Sequence, residues 1–451
     1  MMEITELFKY IRKEIAKYTC QNWDFYLIKD NNRQISYHKQ SIEDFKESSE
    51  VGYAVRLLKD NKISLAYGNL FNKEQLSQTI SKASYILKYI TPNEHFRIQD
   101  NKPKIDSQKF NNNQTFFSVA TSQKISILKN MEKNILKSHP SIKKIEHLGF
   151  SESCNTTYYF AKNIDLLTDQ GNYYGYVTDV IAENRSEQET GSAFQFETEY
   201  TMLNPDIVVK EATYNAYSML GAKPIKSGKY HCVLKNNVMA SFLSVFSPLF
   251  SAEEVQNNKS VLKGKVKEQI ASSKVTLIDD ATLKNGLNTT LFDGEGIPSS
   301  KKTLIGEGYL LSYLYDLKSA TQDNTNSTGN GIRSSYSIRP TIKPTNLILN
   351  LGIKSKNDLI KIHNKDTLFI NNVMGMHTVN KINGDFSVGA TGYIIHDGII
   401  SSPIKQFTIA GNFLNLLKDI EEIGNDQYSF PWGANIITPS VLVTNLSVSG
   451  L

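Results

Sequence analysis

At residues 223–228 the chain reads KPIKSG, and its character changes across that segment. Proline and glycine both interrupt regular structure, so a cluster of them between periodic segments marks a boundary. Upstream the sequence alternates helical and strand patterns over long stretches. Downstream it turns to short strands, glycines and turns with few helices. The helix before the boundary has clear ends: Asn204 can cap it, Pro205 sits in its first turn, and Gly221 with Pro224 stops it. These features predict an α+β protein, with N-terminal α+β units followed by a β-rich sandwich or barrel-like C-terminal domain carrying inserted helices. The expected division is residues 1–90, a connector at 91–115, a second α+β unit at 116–224, and the β-rich domain at 225–451.

The local patterns fill in that outline. Ile4, Leu7, Phe8, Ile11 and Ile15 recur at helical spacing. Strands are expected at 23–28, 51–58 and 62–67. A helix is expected from Asn72, with Gln75 three residues on as in a capping box, and with Leu76, Ile80, Ala83 and Leu87 as its apolar stripe. The Asn/Lys-rich tract at 91–115 reads as a solvated loop. A helix over 122–138 ends before Pro140. Phe194, Phe196, Thr198 and Tyr200 alternate with Gln195, Glu197 and Glu199, which predicts a sheet with one wet face. In the C-terminal domain the expected strands are 229–234, 309–315, 346–350, 393–395 and 436–443, and the expected helices are 238–250, 356–362 and 412–420.

Composition excludes several functions. Net charge is +5 from 50 basic and 45 acidic side chains, with no dense basic block, which argues against nucleic-acid binding. Cys20, Cys154 and Cys232 form no closely spaced pair, so no disulfide framework is expected and the thiols fit a cytoplasmic protein. The start of the chain is acidic too early for a signal peptide, and no run of 18 apolar residues predicts a membrane span.

Catalytic motifs are scarce. A helix-borne HExxH places two zinc-binding histidines one turn apart beside a glutamate base, and the eight histidines here contain no such pair. Glu94–His95, Glu146–His147, His377 and His396 read as structural or surface histidines. No GxSxG elbow or Walker loop occurs, and Gly306–Gly308 and Gly329–Gly331 read as turns. Asp279–Asp280 and the Phe292–Gly296 run (FDGEG) cluster acids beside glycines. Such a cluster could hold a cation, or its carboxylates could close turns and buttress Arg333 or Arg339.

An ordered series of C-terminal motifs carries a resemblance. It comprises Gly375 to Asn380 (GMHTVN), Asn383 to Ser387 (NGDFS), Gly389-x-x-Gly392-x-x-Ile395, Phe407 to Asn412 (FTIAGN), Ile423 to Asp426 (IGND) and the closing TPSVLVTNLSVSG. Ile278–Asp280, the Phe292–Gly296 turn, and Ser327 to Asn330 with Arg333 precede it in the same order. Over about residues 20–451 the chain resembles the TldE/PmbA family, once called modulators of DNA gyrase. The resemblance implies a cytoplasmic two-subunit metalloprotease that matures peptides and degrades unfolded proteins. Its TldD-type subunit carries HExxxH on a helix early in the C-terminal domain and a further cysteine ligand near the C-terminus. The matching positions here hold Ser244, Val245 and Leu249, and no cysteine follows Cys232. The resemblance therefore implies a TldE-type subunit without a cofactor of its own, with zinc expected only in a TldD-type partner. A second copy of this chain could stand in where that partner is missing. Candidate cavity or interface residues are Asp293, Glu295, Arg333, His377 and Asp385. Two rival readings stay open: a peptidase with a relocated site, perhaps His377, Asp385 and Asp293, and a gyrase-associated regulator.

Overall fold

The computed structural model describes residues 4–105, 117–185, 187–363 and 367–450. The end of the expected connector, from 106 to 115, lies outside them. Helix α1 (Ile4–Ile15) buries Leu7, Ile11 and Ile15. Helix α2 (Lys73–Ile86) starts where its cap predicts, with the Asn72 side chain accepting from the Gln75 backbone N–H. Both pack on a six-stranded antiparallel sheet made of β1 (Asn22–His38), β2 (Ser41–Lys59), β3 (Lys62–Gly68), β4 (Ile142–Ala161), β5 (Ile164–Asn184) and β6 (Glu187–Glu197). The order is β3-β2-β1-β4-β5-β6, so the stretches 1–90 and 116–224 share one continuous sheet through the β1–β4 pairing. Helices α3 (Thr121–Ser138) and α4 (Pro205–Tyr217) cover the other end of it, and Asn204 caps α4.

The aromatic face of β6 lies opposite to the expected one. Gly191, Ala193 and Gln195 are buried, whereas Phe194 and Phe196 are half-buried. The strand also stops at Glu197, before Thr198 and Tyr200. The cause is close packing: a Cβ added at Gly191 would sit 2.1 Å from the Ala212 carbonyl of α4. Beside the body of α4 only the small Gly191 and Ala193 fit, Gln195 reaches past it to accept from the Asn204 N–H at the cap, and the phenylalanines turn the other way.

The C-terminal half has two sheets. The first holds β7 (Gly228–Leu234), β14 (Thr367–Met374), β15 (Asp385–His396), β16 (Ile399–Asn412), β17 (Ile420–Ile423) and β20 (Val441–Ser449). Its order is β16-β15-β14-β7-β20-β17, and β16 also pairs with β20, which closes a five-stranded barrel. The second runs β10-β9-β8-β13-β19-β18, from β8 (Leu277–Asp280), β9 (Lys301–Gly306), β10 (Tyr309–Leu310), β13 (Asn346–Leu349), β18 (Tyr428–Trp432) and β19 (Ala434–Thr438). A small ladder joins β11 (Gly331–Ile332) to β12 (Thr341–Ile342). Helix α5 (Asn236–Phe246) packs between β14 of the barrel and β18 and β19 of the second sheet. The short helices are α6 (Ala252–Gln256), α7 (Leu317–Gln322), α8 (Lys356–Ile360) and α9 (Phe413–Lys418).

Two expected strands differ. The 309–315 pattern gives a strand only at Tyr309–Leu310. The 436–443 pattern gives two strands in different sheets, because Pro439 has no N–H for a ladder. The chain crosses there, and Asp426 takes the Ser440 N–H at 2.9 Å and its hydroxyl at 2.7 Å. All three cysteines are free, and among the described residues no helix is long and apolar enough to cross a membrane.

Candidate functional site at the sheet junction

The register of β1 and β2 sets Asp24 opposite Arg56, inside otherwise apolar runs. Both are almost fully buried, so each needs a partner of opposite charge. The Arg56 Nε donates to both Asp24 oxygens at 3.0 and 3.1 Å, and its Nη1 donates to Glu295 at 3.1 Å. The Phe292–Gly296 turn is thereby pinned to the first sheet. Within it Asp293 accepts from the backbone N–H groups of Glu295, Ile297 and Gly331 at 2.8–3.0 Å. Glu295 also accepts from the Leu317 N–H at the start of α7. Gly294 leaves room for Arg333, whose Cγ a Cβ there would meet at 2.6 Å.

Arg333 donates from Nε to the Gly294 carbonyl at 2.8 Å and stacks over Tyr26 at 4.8 Å. Its terminal nitrogens have no hydrogen-bond partner among the described residues, and one lies 3.7 Å from Asp24. They border a cavity of about 300 Å³ between β1, β4, β5 and the 287–294 segment. Of the two arginines expected to be buttressed, Arg333 is buried and Arg339 is exposed. Asp279 and Asp280 serve the same kind of role. Asp279 accepts from Thr345 and Asn330 and lies 3.1 Å from Lys302, and Asp280 accepts from Thr282. These contacts favour the turn-closing reading of the acids over a cation site.

Burial raises the Asp293 carboxyl to about 6 and the Glu295 carboxyl to about 7, despite Arg56 beside them. A folded-state value above the unfolded one means that the fold holds its proton to higher pH. Stability is then greatest below about pH 4.5 for this group and falls as pH rises towards 7. Glu295→Gln should flatten that fall. The melting difference between variant and wild type should grow in the variant's favour from pH 4.5 to 7 and level off above, by at most ~1.4 kcal/mol per pH unit for one proton. A difference independent of pH would refute it.

A larger cavity of about 540 Å³ opens between β6, α4, the start of α5, β14 and β18. Its aromatic wall is Phe194, Tyr428, Phe430 and Trp432, with ring centroids 4.9–6.0 Å apart among the contacting pairs. Opposite stand amides, Asn236, Asn237, Asn371 and Asn372, and the ion pair Lys235–Glu211 at 2.7 Å. β6 is the edge strand of its sheet, with Tyr428 donating to the Phe194 carbonyl at 2.7 Å and Asn215 to the Ser192 carbonyl at 3.1 Å. The sequence reading missed this cleft. Its visible signals were the aromatic alternation of β6 and the YSFPW run of β18.

Helix α5 borders the same region. Ser244 donates to the Trp432 carbonyl at 2.8 Å, Val245 is half-buried, and Leu249 in the following 3-10 turn is fully buried. A hydroxyl already committed to a carbonyl and two aliphatic side chains make no zinc donor set, so the residues at these positions do not fit the metal. His377 is exposed on a 3-10 turn (Met376–Thr378). Asp385 is exposed and closes its hairpin by accepting from Asn383 and Asn412 at 2.8 Å. Neither is gathered with Asp293 into a cluster of ligands among the described residues.

Comparison with known proteins agrees with the architecture. Residues 23–87, 115–220 and 227–450 match, in turn, domain 1, the central domain and the C-terminal domain of the PmbA/TldA metallopeptidases. An uncharacterised protein of Methanocaldococcus jannaschii is 28% identical over 92% of this chain and 93% of its own length. A protein named a metalloprotease, from the same archaeon, is 27% identical over 85% of each chain. Among solved structures, a proposed modulator of a DNA gyrase from Thermotoga maritima is 25% identical with a TM-score of 0.87, covering 98% of this chain and 100% of that one. TldE from Thermococcus kodakarensis shares the fold at 22% identity with a TM-score of 0.90, at the same coverage. With all three of its domains matched in order, the chain belongs to the PmbA/TldD metallopeptidase family.

Proposed function

We propose that this chain is the PmbA/TldE-type subunit of a two-chain metalloprotease, in which a TldD-type partner holds the catalytic zinc and this chain helps to hold the peptide. The observation that carries the reading is the content of α5 and the turn after it: Ser244, Val245 and Leu249 offer no ligand and no general base, and the apolar core takes up the last two. The cleft supports the second half. β6 is an edge strand, and a peptide backbone added there would exchange its own N–H groups for the Asn215 and Tyr428 donors now on the Ser192 and Phe194 carbonyls, whatever its sequence. The aromatic wall and amides beside β6 would hold side chains of varied kind. A cytoplasmic site of action follows from the same reading.

The test is peptide hydrolysis by the purified chain, by a TldD-type subunit, and by the two together. The chain alone should cleave nothing and the mixture should cleave. Trp432→Ala in this chain should weaken peptide binding by the mixture by about 30-fold, the loss expected of a ~2 kcal/mol aromatic anchor. Hydrolysis by this chain alone, abolished by a chelator and restored by zinc, would overturn the proposal.

A further inference from the structure

A second cluster of ligands stands apart from the cleft. His231 on β7, His363 just beyond α8, and Glu421 on β17 each offer one ligand atom, all within 4.8 Å of one another. The three are separated by 132 and 58 residues in the sequence, yet all three are half-buried at one place. The imidazoles stack with centroids 3.8 Å apart and planes 11° apart. The His363 Nε2 lies 2.7 Å from a Glu421 oxygen. The neighbouring acid, Glu422, is taken up by Lys274 at 2.5 Å and faces Lys354 at 3.9 Å, while the Glu421 carboxylate turns towards the histidines.

We propose that His231, His363 and Glu421 bind a divalent transition-metal ion of the zinc class. Two imidazoles and one carboxylate are the donors such ions select, and three protein ligands leave at least one position for water. A cation would take the place of the direct contact between the His363 Nε2 and the Glu421 carboxylate. For the three donors to meet at metal–ligand distances of ~2.0–2.2 Å, one imidazole would turn out of the stack so that the two ring planes intersect at the ion. The ion would tie β17 and the segment after α8 to β7. His231 lies on β7 four residues before Lys235 of the cleft, roughly 13 Å along the extended chain. The site is not the zinc position of α5 and does not depend on the reading given above for that helix. The expectation of no metal in this chain then holds for α5 alone.

The test is zinc titration of the tag-free full chain against a chromophoric chelator, with thermal melting measured in parallel. Wild type should take up one zinc per chain and melt higher with zinc, as expected for a ligand that binds only the folded state. His363→Ala and His231→Ala should each lower the affinity by more than the ~100-fold that losing a second-sphere partner costs. Glu421→Gln, which keeps the shape and a hydrogen bond to His363, should also abolish the zinc-dependent rise in melting temperature. His377→Ala should match wild type. The absence of a saturable zinc equivalent in wild type, or its retention in both His363→Ala and Glu421→Gln, would overturn the proposal. Because no peptide cleavage is read, failure here leaves the subunit assignment untouched, and the reverse also holds.

Discussion

Arg56→Met should lower stability by about 3–5 kcal/mol, the cost of leaving a buried charge without its partner. Asp24 is fully buried, and after the change its nearest cation would be Arg333 at 3.7 Å. Methionine keeps most of the side-chain volume, so the loss would report charge rather than a cavity. The double variant Arg56→Met with Asp24→Asn should recover part of the loss, since neither member would then be a buried ion. Thermal melting of the single and double variants checks this. If Arg56→Met melts like wild type, the junction is held by apolar contacts such as Tyr159 against Phe292, not by the ion pair.

Phe246→Ala should be about as damaging, at ~3–5 kcal/mol. Phe246 is fully buried, stacked on Phe413 at 4.6 Å and in line with Phe242 on the same helix. Ser244→Ala removes one neutral hydrogen bond to Trp432 and should cost only ~1 kcal/mol. That ordering says that α5 is fixed by its apolar face. Denaturant melts of the two variants would settle it, and a greater loss in Ser244→Ala would show that the polar link to β18 fixes the helix instead.

Some helices were legible in the sequence from their caps, although the Asp316–Ser319 capping box of α7 went unread. Asn72 with Gln75, and Asn204 with Pro205, placed two N-termini correctly. Strand faces were less so, because alternation gives a period without saying which side is inside. In β6 the hydrophobic residues looked like the inner face, yet contact with α4 required the small ones. Of the site, the turn with Asp293 and Glu295 could be read from spacing, but its arginine was left open between Arg333 and Arg339, and Arg333 meets the Gly294 carbonyl of the turn and not its carboxylates. Their partners Asp24 and Arg56 were hidden as single charges within WDFYLI and VGYAVRLL, where a lone charge in an apolar strand was itself the signal. Asp385 and His377 stood out only because they sat among recognisable motifs; His377 lies exposed on a 3-10 turn and Asp385 exposed at the first position of β15. His231, His363 and Glu421 had no readable spacing, since three separate elements bring them together.

The closed barrel also imposes an order on biosynthesis. β7 is made early in its domain, but one of its two neighbours is β20, paired from Gly228–Val448 to Leu234–Val441. Loop closure over so long a separation is slow, and the contact cannot form until β20 has been translated. Throughout synthesis of the intervening strands, one side of β7 therefore presents unpaired backbone that other chains could capture. The nascent domain should depend on chaperone shielding until its last strand emerges, and ribosome-bound chains stalled before residue 441 should remain protease-sensitive across 228–440 even where the first sheet is already resistant.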